Sequence, residues 1–188
     1  MSIERDVLRI LMMDRGYVSE AKLAQQIGIP KSVVNSIMRE LIAKGFVIDF
    51  HPELGYRLAD LDNLSQAYKY ADYLDTEIKF YINYVEVCDS TQDIALALAK
   101  KGAPEGTVVL AEELRRGRGR MGRQWIAARG GLWLSIILRP RIFKHMHLLS
   151  LAIATALAEA INNVLRVDTK VKWPNDVLIN EKKLQEYL

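Results

Sequence analysis

The stretch RRGRGRMGRQW, which spans Arg115–Trp125, packs five arginines and three glycines into eleven residues. Glycines relax the backbone and let a ligand approach closely. Arginines carry permanent charge on planar donor forks that match phosphate oxygens. Repulsion among these charges predicts a loop that stays open alone and becomes ordered when an anion binds. The residues with these properties are Gly117, Arg118, Gly119, Arg120, Gly122 and Arg123.

An arginine–glycine tract of the RNA-binding type is the alternative interpretation of this stretch. The surroundings favour a loop within a folded domain, because apolar strand candidates flank it on both sides: GTVVLAEE before and GLWLSIIL after. The stretch also ends in Trp125, whose ring could pack over a ligand or close the loop.

Two further polar motifs flank the arginine-rich stretch. KWPNDV at 172–177 groups Lys172, Asn175 and Asp176 after a short strand, where the aspartate could hold magnesium or a hydroxyl and the lysine could neutralise phosphate. DST at 89–91 places Ser90 and Thr91 at a predicted helix start, which suits an anion. A β-turn with a capping aspartate and simple helix capping are the ordinary explanations of these two motifs.

The remaining pattern after residue 62 alternates strands and helices, which indicates an α/β layer architecture. FYINYVEV and KVKWPNDVLI contain strand candidates, and a capped helix follows DST up to Gly102. A long, mostly buried helix is predicted in HLLSLAIATALAEAINNVL, and a shorter helix is predicted over Leu64–Leu74.

The first sixty residues predict three short helices and a hairpin, the pattern of a winged helix-turn-helix. Ser19 and Gly28 bound the second helix, and Pro30 precedes the third. The outward face of the third helix is the predicted DNA-contacting surface, formed by Ser32, Asn35, Ser36 and Arg39. A small helical domain for protein contacts is the alternative. Residues 1–62 carry eight Lys/Arg and nine Asp/Glu, so such a module would bind DNA tightly only as a dimer, and a homodimer is one candidate partner.

The composition of the 188-residue chain indicates the redox compartment and the location that we expect for the protein. The single cysteine, Cys88, can form no internal disulfide, which fits a reducing compartment. Signal-peptide and membrane-spanning patterns are not recognisable, so we expect a soluble cytoplasmic protein without a membrane partner. The predicted domains are 1–62, a winged helix-turn-helix, and 63–188, the N-terminal portion of a mixed-sheet α+β or α/β domain.

The order DST…AE…GRGRMGRQW…KWPNDV…K strongly resembles the biotin protein ligases, and the N-terminal module resembles that of their bifunctional ligase/repressor type. The resemblance implies a catalytic domain like that of class II synthetases. It also implies that biotin and ATP, with Mg²⁺, form biotinyl-5′-AMP, whose biotin passes to a lysine of a biotin carboxyl carrier domain. Operator DNA is the second implied partner. Lipoate ligases share the general layout but are not expected to carry G-R-G-R-x-G-R-x-W.

The same resemblance implies roles for individual residues. Biotin would be bound by Ser90, Thr91, Gly117, Arg118 and Lys183. ATP or the adenylate would be bound by Arg120, Arg123, Trp125, Lys172, Asn175 and Asp176, the last also as the magnesium ligand. The catalytic residues would be Arg118, Arg120 and Lys183, which stabilise charge on the reacting phosphate.

This chain departs from the family pattern at Leu114, where a glutamine that would hydrogen-bond the biotin ureido ring is usual. Leucine leaves that ligand group unpaired, at a cost of roughly 1–3 kcal/mol. The second departure follows KKL, where the family continues Ala-Gly-Ile-Leu and this chain reads QEYL.

Deleting the first base of GCA GGA ATA CTT GTA GAA, one coding run for Ala-Gly-Ile-Leu-Val-Glu, gives Gln-Glu-Tyr-Leu-stop. We therefore expect that the chain is the frameshifted product of a ligase gene. We also expect that this truncated ligase has weak or absent activity. A biotin-responsive DNA-binding regulator without ligase activity is the alternative.

Overall fold

The computed structural model describes residues 2–14, 16–59, 64–119, 124–140, 144, 148–173 and 175–185. It divides into two compact units, Met1–Ile82 and Asn83–Leu188. Among the described residues, no helix has both the length and the apolar character needed to cross a bilayer.

The N-terminal unit is a winged helix-turn-helix, as the sequence predicts. Its helices are α1 (Ile3–Asp14), α2 (Glu20–Ile27) and α3 (Lys31–Ala43), and its wing pairs β1 (Ile48–His51) with β2 (Gly55–Leu58) antiparallel. Ser19 caps α2 by accepting a hydrogen bond from the Lys22 amide, and Gly28 ends α2 with a φ of 76°. One apolar core joins the three helices and the wing; its fully buried members include Val7, Leu8, Leu11, Leu23, Val34, Met38 and Leu41.

The segment after the wing is less helical than the sequence predicts. Instead of one helix over Leu64–Leu74, a 3₁₀ turn covers Leu64–Gln66 and the short helix α4 covers Tyr68–Ala71. This segment belongs to the N-terminal core, because Tyr70 and Tyr73 pack edge-on against Phe46 at 5.1 and 5.4 Å between ring centroids. The predicted domain boundary near residue 62 falls in residues 60–63, which lie outside the described part of the chain.

The C-terminal unit contains a sheet centred on the long strand β4 (Thr107–Arg118). The order β3–β4–β5 joins it to β3 (Tyr81–Cys88) and β5 (Gln124–Ala127), and β6 (Trp133–Ile136) pairs with the first half of β4. Helix α5 (Thr91–Lys100) covers this sheet through a small core of Ala95, Val109 and Ile137. The pairings of β4 with β5 and with β6 are antiparallel, and the predicted combination of a sheet with a covering helix is confirmed in this half of the chain.

A second layer of the C-terminal unit pairs helix α6 (Leu149–Leu165) with a three-stranded antiparallel sheet. Its strands are β7 (Thr169–Lys172), β8 (Asp176–Ile179) and β9 (Lys182–Gln185). The prediction that α6 is mostly buried is wrong, because only Ala154 and Ala158 of this helix are buried. One face packs against Val171 and Val177, while the other large apolar side chains of the helix are half-buried, except Val164 and Leu165, which are exposed.

Candidate functional site

The N-terminus of α5 is the first place where predicted site residues meet. Ser90 is the N-cap of α5 and accepts a hydrogen bond from the Asp93 amide at 3.3 Å. Thr91 is buried and accepts a hydrogen bond from the Ser135 hydroxyl at 2.9 Å. Both hydroxyls are thus fixed beside the positive end of a helix, a setting that favours an anion.

Arg118 reaches this helix end from the last residue of β4. Its Nη2 lies 2.5 Å from Oδ1 of Asp93 and 3.4 Å from Oγ of Ser90. The Arg118 and Asp93 side chains keep 48% and 60% of their surface exposed, so this ion pair is weak and can exchange partners. An incoming carboxylate or phosphate can therefore replace Asp93 as the partner of the Arg118 guanidinium.

The strand structure around Arg118 shortens the loop predicted over Arg115–Trp125, because both ends of this stretch lie in strands. β4 continues through Arg118 and β5 begins at Gln124, with Gly117 paired to Trp125. A Cβ on Gly117 would lie 2.4 Å from the Trp125 carbonyl oxygen, so only glycine permits this close pairing. The register of the pairing between β4 and β5 shifts at a β-bulge between Leu114 and Gly117. Arg120 and Arg123, which the sequence assigns to the nucleotide, lie outside the described residues.

A second group of predicted residues meets on the three-stranded sheet. Lys183 of β9 forms an ion pair with Asp176 of β8 at 3.0 Å, and its Nζ lies 5.6 Å from the ring centroid of Trp125. The Lys183 and Asp176 side chains are 31% and 23% exposed, so this pair is more sheltered than the pair of Arg118 and Asp93. Trp125 connects the two groups, because β5 pairs with the strand that carries Arg118.

The turn between β7 and β8 positions the other predicted residues. Lys172 is exposed and stands opposite Asp176 in the strand pairing, while Asn175 is buried. A cavity of about 490 Å³ lies along this face and is lined by charged side chains together with Val171 and Leu178. Its charged lining residues are Lys170, Lys172, Asp176, Glu181 and Lys183.

Sequence reasoning missed two contributors to the site, Asp93 and Ser135. Asp93 appears in the sequence only as an acidic residue in the first turn of a helix, where it has an ordinary stabilising role. Ser135 lies 44 residues from Thr91 in a strand of apolar character, so no local pattern indicates their contact.

The donor set does not fit a magnesium ion held by the protein alone. The Asp176 carboxylate is already paired with Lys183, and the described part of the chain has no group of three or more His, Cys, Asp or Glu suited to a metal. Mg²⁺ in nucleotide sites takes one or two carboxylates and completes its shell with phosphates and water. Asp176 could therefore contribute one oxygen to an ion carried mainly by ATP.

In the N-terminal unit, the predicted DNA-contacting residues share one side of α3. Ser32, Ser36 and Arg39 are exposed, and Asn35 is partly buried. The inward side of α3 is formed by Val34, Ile37, Met38 and Leu41, as the helical spacing predicts.

Two family profiles match the chain. The Biotin/lipoate A/B protein ligase family matches residues 84–185, and a winged helix-turn-helix DNA-binding family matches residues 2–48. The first match covers more than half of the chain, and the second covers the three helices of the N-terminal unit.

Curated relatives and a solved structure agree with these profiles. The Bifunctional ligase/repressor BirA of Bacillus spizizenii is 36% identical over 170 residues, a match that spans 89% of this chain and 52% of the relative. The protein of the same name in Escherichia coli is 28% identical, over 93% of this chain and 54% of the relative. The chain therefore spans about half the length of these relatives. The biotin protein ligase of Leishmania major in complex with biotinyl-5-AMP aligns with a TM-score of 0.50 at 28% identity, over 54% of this chain and 48% of that one.

Proposed function

Because the chain belongs to the Biotin/lipoate A/B protein ligase family, we propose that its C-terminal unit binds biotin and ATP and catalyses the formation of biotinyl-5′-AMP. We further propose that the N-terminal unit binds operator DNA, as expected of a ligase that is also a repressor.

The first step joins two anions and needs no nucleophile from the enzyme. A carboxylate oxygen of biotin attacks the α-phosphorus of ATP, the bond to the bridging oxygen of the β-phosphate breaks, and pyrophosphate leaves. Negative charge accumulates on the non-bridging oxygens of the α-phosphate, so the useful residues are fixed donors and cations. In the second step a neutral lysine amine of the carrier domain attacks the acyl carbon, AMP leaves, and the amine releases its proton to solvent.

The observation that carries this proposal is that the two described cations with a proposed catalytic role, Arg118 and Lys183, lie at one hairpin. Arg118 ends β4 beside Ser90, and Lys183 lies over Trp125 of the adjacent strand β5. One cation belongs to the hairpin and the other comes from β9. Two cations at one place suit a reaction between a carboxylate and a phosphate. Ordinary helix capping does not account for Arg118, because Ser90 already caps α5.

Each residue then has a role in this scheme. Ser90, Thr91 and Gly117 line the biotin side, and Arg118 and Lys183 neutralise the carboxylate–phosphate region. Asp176 orients Lys183 through their ion pair. The nucleotide side is assigned to Arg120, Arg123, Trp125, Lys172 and Asn175.

Calorimetric titration of the full chain with biotin, followed by ATP and Mg²⁺, tests the proposal. We expect saturable binding of biotin that Arg118→Ala weakens, and release of pyrophosphate once both substrates are present. Arg139→Ala is a matched control, because Arg139 donates hydrogen bonds to the carbonyl oxygens of Ala99 and Ala103 at the C-terminal end of α5, away from Ser90. A wild-type chain that binds neither substrate would contradict the ligase proposal.

Leu114 supports a second candidate, a DNA-binding regulator that senses biotin or biotinyl-5′-AMP without ligating it. Leu114 is half-buried on β4 opposite Ala127, and its side chain has no hydrogen-bonding group for a polar ligand ring. A mobility-shift assay on the upstream DNA of the gene, with and without biotinyl-5′-AMP, separates the two functions. Adenylate-dependent retardation without label transfer to a carrier domain would favour the regulator.

A further inference from the structure

The wing of the N-terminal unit makes a specific contact with the predicted DNA-contacting helix. The Tyr56 hydroxyl of β2 donates a hydrogen bond to Oδ1 of Asn35 on α3 at 2.8 Å. Burial raises the pKa of Tyr56, and Glu20 adds to the rise while Arg39 opposes it. The phenol therefore remains protonated at neutral pH and keeps its hydrogen for donation.

Several contacts hold the Tyr56 ring in place, so the position of its hydroxyl is fixed. Backbone hydrogen bonds of 2.7 and 2.9 Å join Tyr56 to Val18 in an antiparallel bridge. The bridge depends on Gly55, because a Cβ there would lie 2.2 Å from the Val18 carbonyl oxygen. The ring also packs on Phe50 at 4.9 Å between centroids and is only 9% exposed.

Asn35 lies between the exposed and the buried sides of α3, among residues that the proposed function assigns to DNA. An asparagine amide is normally free to rotate, and either of its ends can meet a base edge. Here Oδ1 is engaged by a buried hydroxyl, and the amide orientation is set before any DNA arrives. With Oδ1 held towards Tyr56, Nδ2 is the end of the amide farther from that hydroxyl, and it can only donate hydrogen bonds.

We propose that Tyr56 is a positioning residue for base recognition, which holds Asn35 so that its Nδ2 donates to a purine N7 in the major groove. The inference rests on the proposed DNA binding of the N-terminal unit and goes beyond it by naming the positioning residue and the base edge. Purine N7 is an acceptor on the major-groove edge of both guanine and adenine. The only pyrimidine acceptor on that edge is thymine O4, which lies nearer the centre of the base pair, so a donor held at the N7 position favours purines.

Selection from a randomised duplex DNA library with the full-length chain tests this inference. We expect the wild type to enrich a motif in which one base pair of each half-site has a purine on a fixed strand. Asn35→Ala should lose the preference at that base pair. Tyr56→Phe should weaken the preference at the same base pair by about 3- to 10-fold, the effect of one net hydrogen bond, and leave the other positions unchanged. The double variant should match Asn35→Ala.

Tyr17→Phe is the matched control, because Tyr17 lies in the same module and contacts His51 and Arg57 rather than α3. Circular dichroism checks that each variant is folded. If Tyr56→Phe is unstable, Asn35→Ala still tests whether the α3 member of the Tyr56–Asn35 hydrogen bond sets the preference at that base pair. Equal loss of affinity for all sequences, an unchanged motif, or a change at a base pair different from that of Asn35→Ala would overturn the inference alone. A wild type that enriches no motif would instead overturn the DNA-binding proposal and the inference with it.

Discussion

Leu114 is the residue at which this chain departs most clearly from a polar ligand site. It lies on β4 directly before the bulge that leads to Gly117, next to the proposed binding hairpin. A leucine at this position fills space without offering a donor or an acceptor. If the proposed site binds biotin, we expect its affinity to depend on Arg118 more than on recognition of the ureido ring.

Leu114→Gln should tighten biotin binding, because an amide can pair with ligand atoms that leucine leaves unsatisfied. The gain expected from such a pair is about 1–3 kcal/mol, or about 5- to 150-fold in Kd. Calorimetry on the two proteins measures it. Leu114→Met serves as the control of similar volume, and equal effects of the two substitutions would exclude the hydrogen-bonding explanation.

Asp93 competes with any ligand anion for Arg118. Asp93→Asn removes the charge while keeping the side-chain shape, so we expect biotin to bind up to about fivefold more tightly, in line with the 0–1 kcal/mol of an exposed ion pair. The comparison variant is Asp89→Asn, which removes a neighbouring carboxylate that faces Arg116 at 3.7 Å instead. Weaker binding by Asp93→Asn, or the same gain in both variants, would contradict a competitive role.

At the scale of elements, the segment after the wing illustrates what a local pattern can and cannot predict. Helical spacing correctly indicated some helix between Leu64 and Leu74, but only Tyr68–Ala71 is α-helical. The position of the segment depends on contacts distant in sequence: Tyr70 and Tyr73 on Phe46, Lys69 Nζ on the Gly45 carbonyl oxygen at 2.7 Å, and Arg5 on Asp75 at 2.8 Å. A boundary drawn from composition near residue 62 does not take these contacts into account.

Tyr73→Ala should therefore destabilise the N-terminal unit by about 1–2 kcal/mol, since it removes a half-buried ring and one aromatic pair. Hydrogen exchange of the amides in α1 and α3 measures the loss as faster exchange. Tyr68→Ala, in the same segment but 54% exposed, should have little effect. Unchanged protection in Tyr73→Ala would show that the segment does not support the core.

The ligase half shows the same division between local and distant information. The helix caps follow from local rules, because each depends on neighbours within a few residues. The continuation of β4 through the arginines does not follow, because it depends on pairing with β5 across a bulge. The contact between Arg118 and Asp93 spans 25 residues, and the contact between Lys183 and Trp125 joins two sheets, so no periodicity could predict either of them.

For the whole molecule, internal ion pairs decide how much charge the N-terminal unit can offer to DNA. Lys22 pairs with Asp14, Lys44 with Glu4 and Arg57 with Asp49. Within the described residues, Lys31 and Arg39 of α3 make no such pair. Of the described N-terminal cations that stay outside ion pairs, two therefore lie on the proposed recognition helix, and another, Arg9, lies on α1.

A phosphate-contacting surface limited to the two unpaired cations of α3, Lys31 and Arg39, predicts a shallow salt dependence. For a dimer on two half-sites, the slope of log K against log salt concentration should be about −3 to −4. Fluorescence anisotropy with the selected duplex over a series of KCl concentrations measures it. Lys31→Met should flatten the slope by about two in a dimer, whereas Lys22→Met should leave it nearly unchanged. A wild-type slope near −10 would mean that other cations contact the backbone.

The position of Lys183 over Trp125 gives the ligase unit an optical signal of its own. All three tryptophans, Trp125, Trp133 and Trp173, lie after residue 83, while the N-terminal unit has only tyrosine and phenylalanine rings. An ammonium 5.6 Å from the indole centroid perturbs the emission of that ring, and an anion that draws Lys183 away removes the perturbation. Excitation at the red edge of tryptophan absorption would therefore follow occupation of the small-molecule site in a mixture that also contains DNA, without a dye or a label.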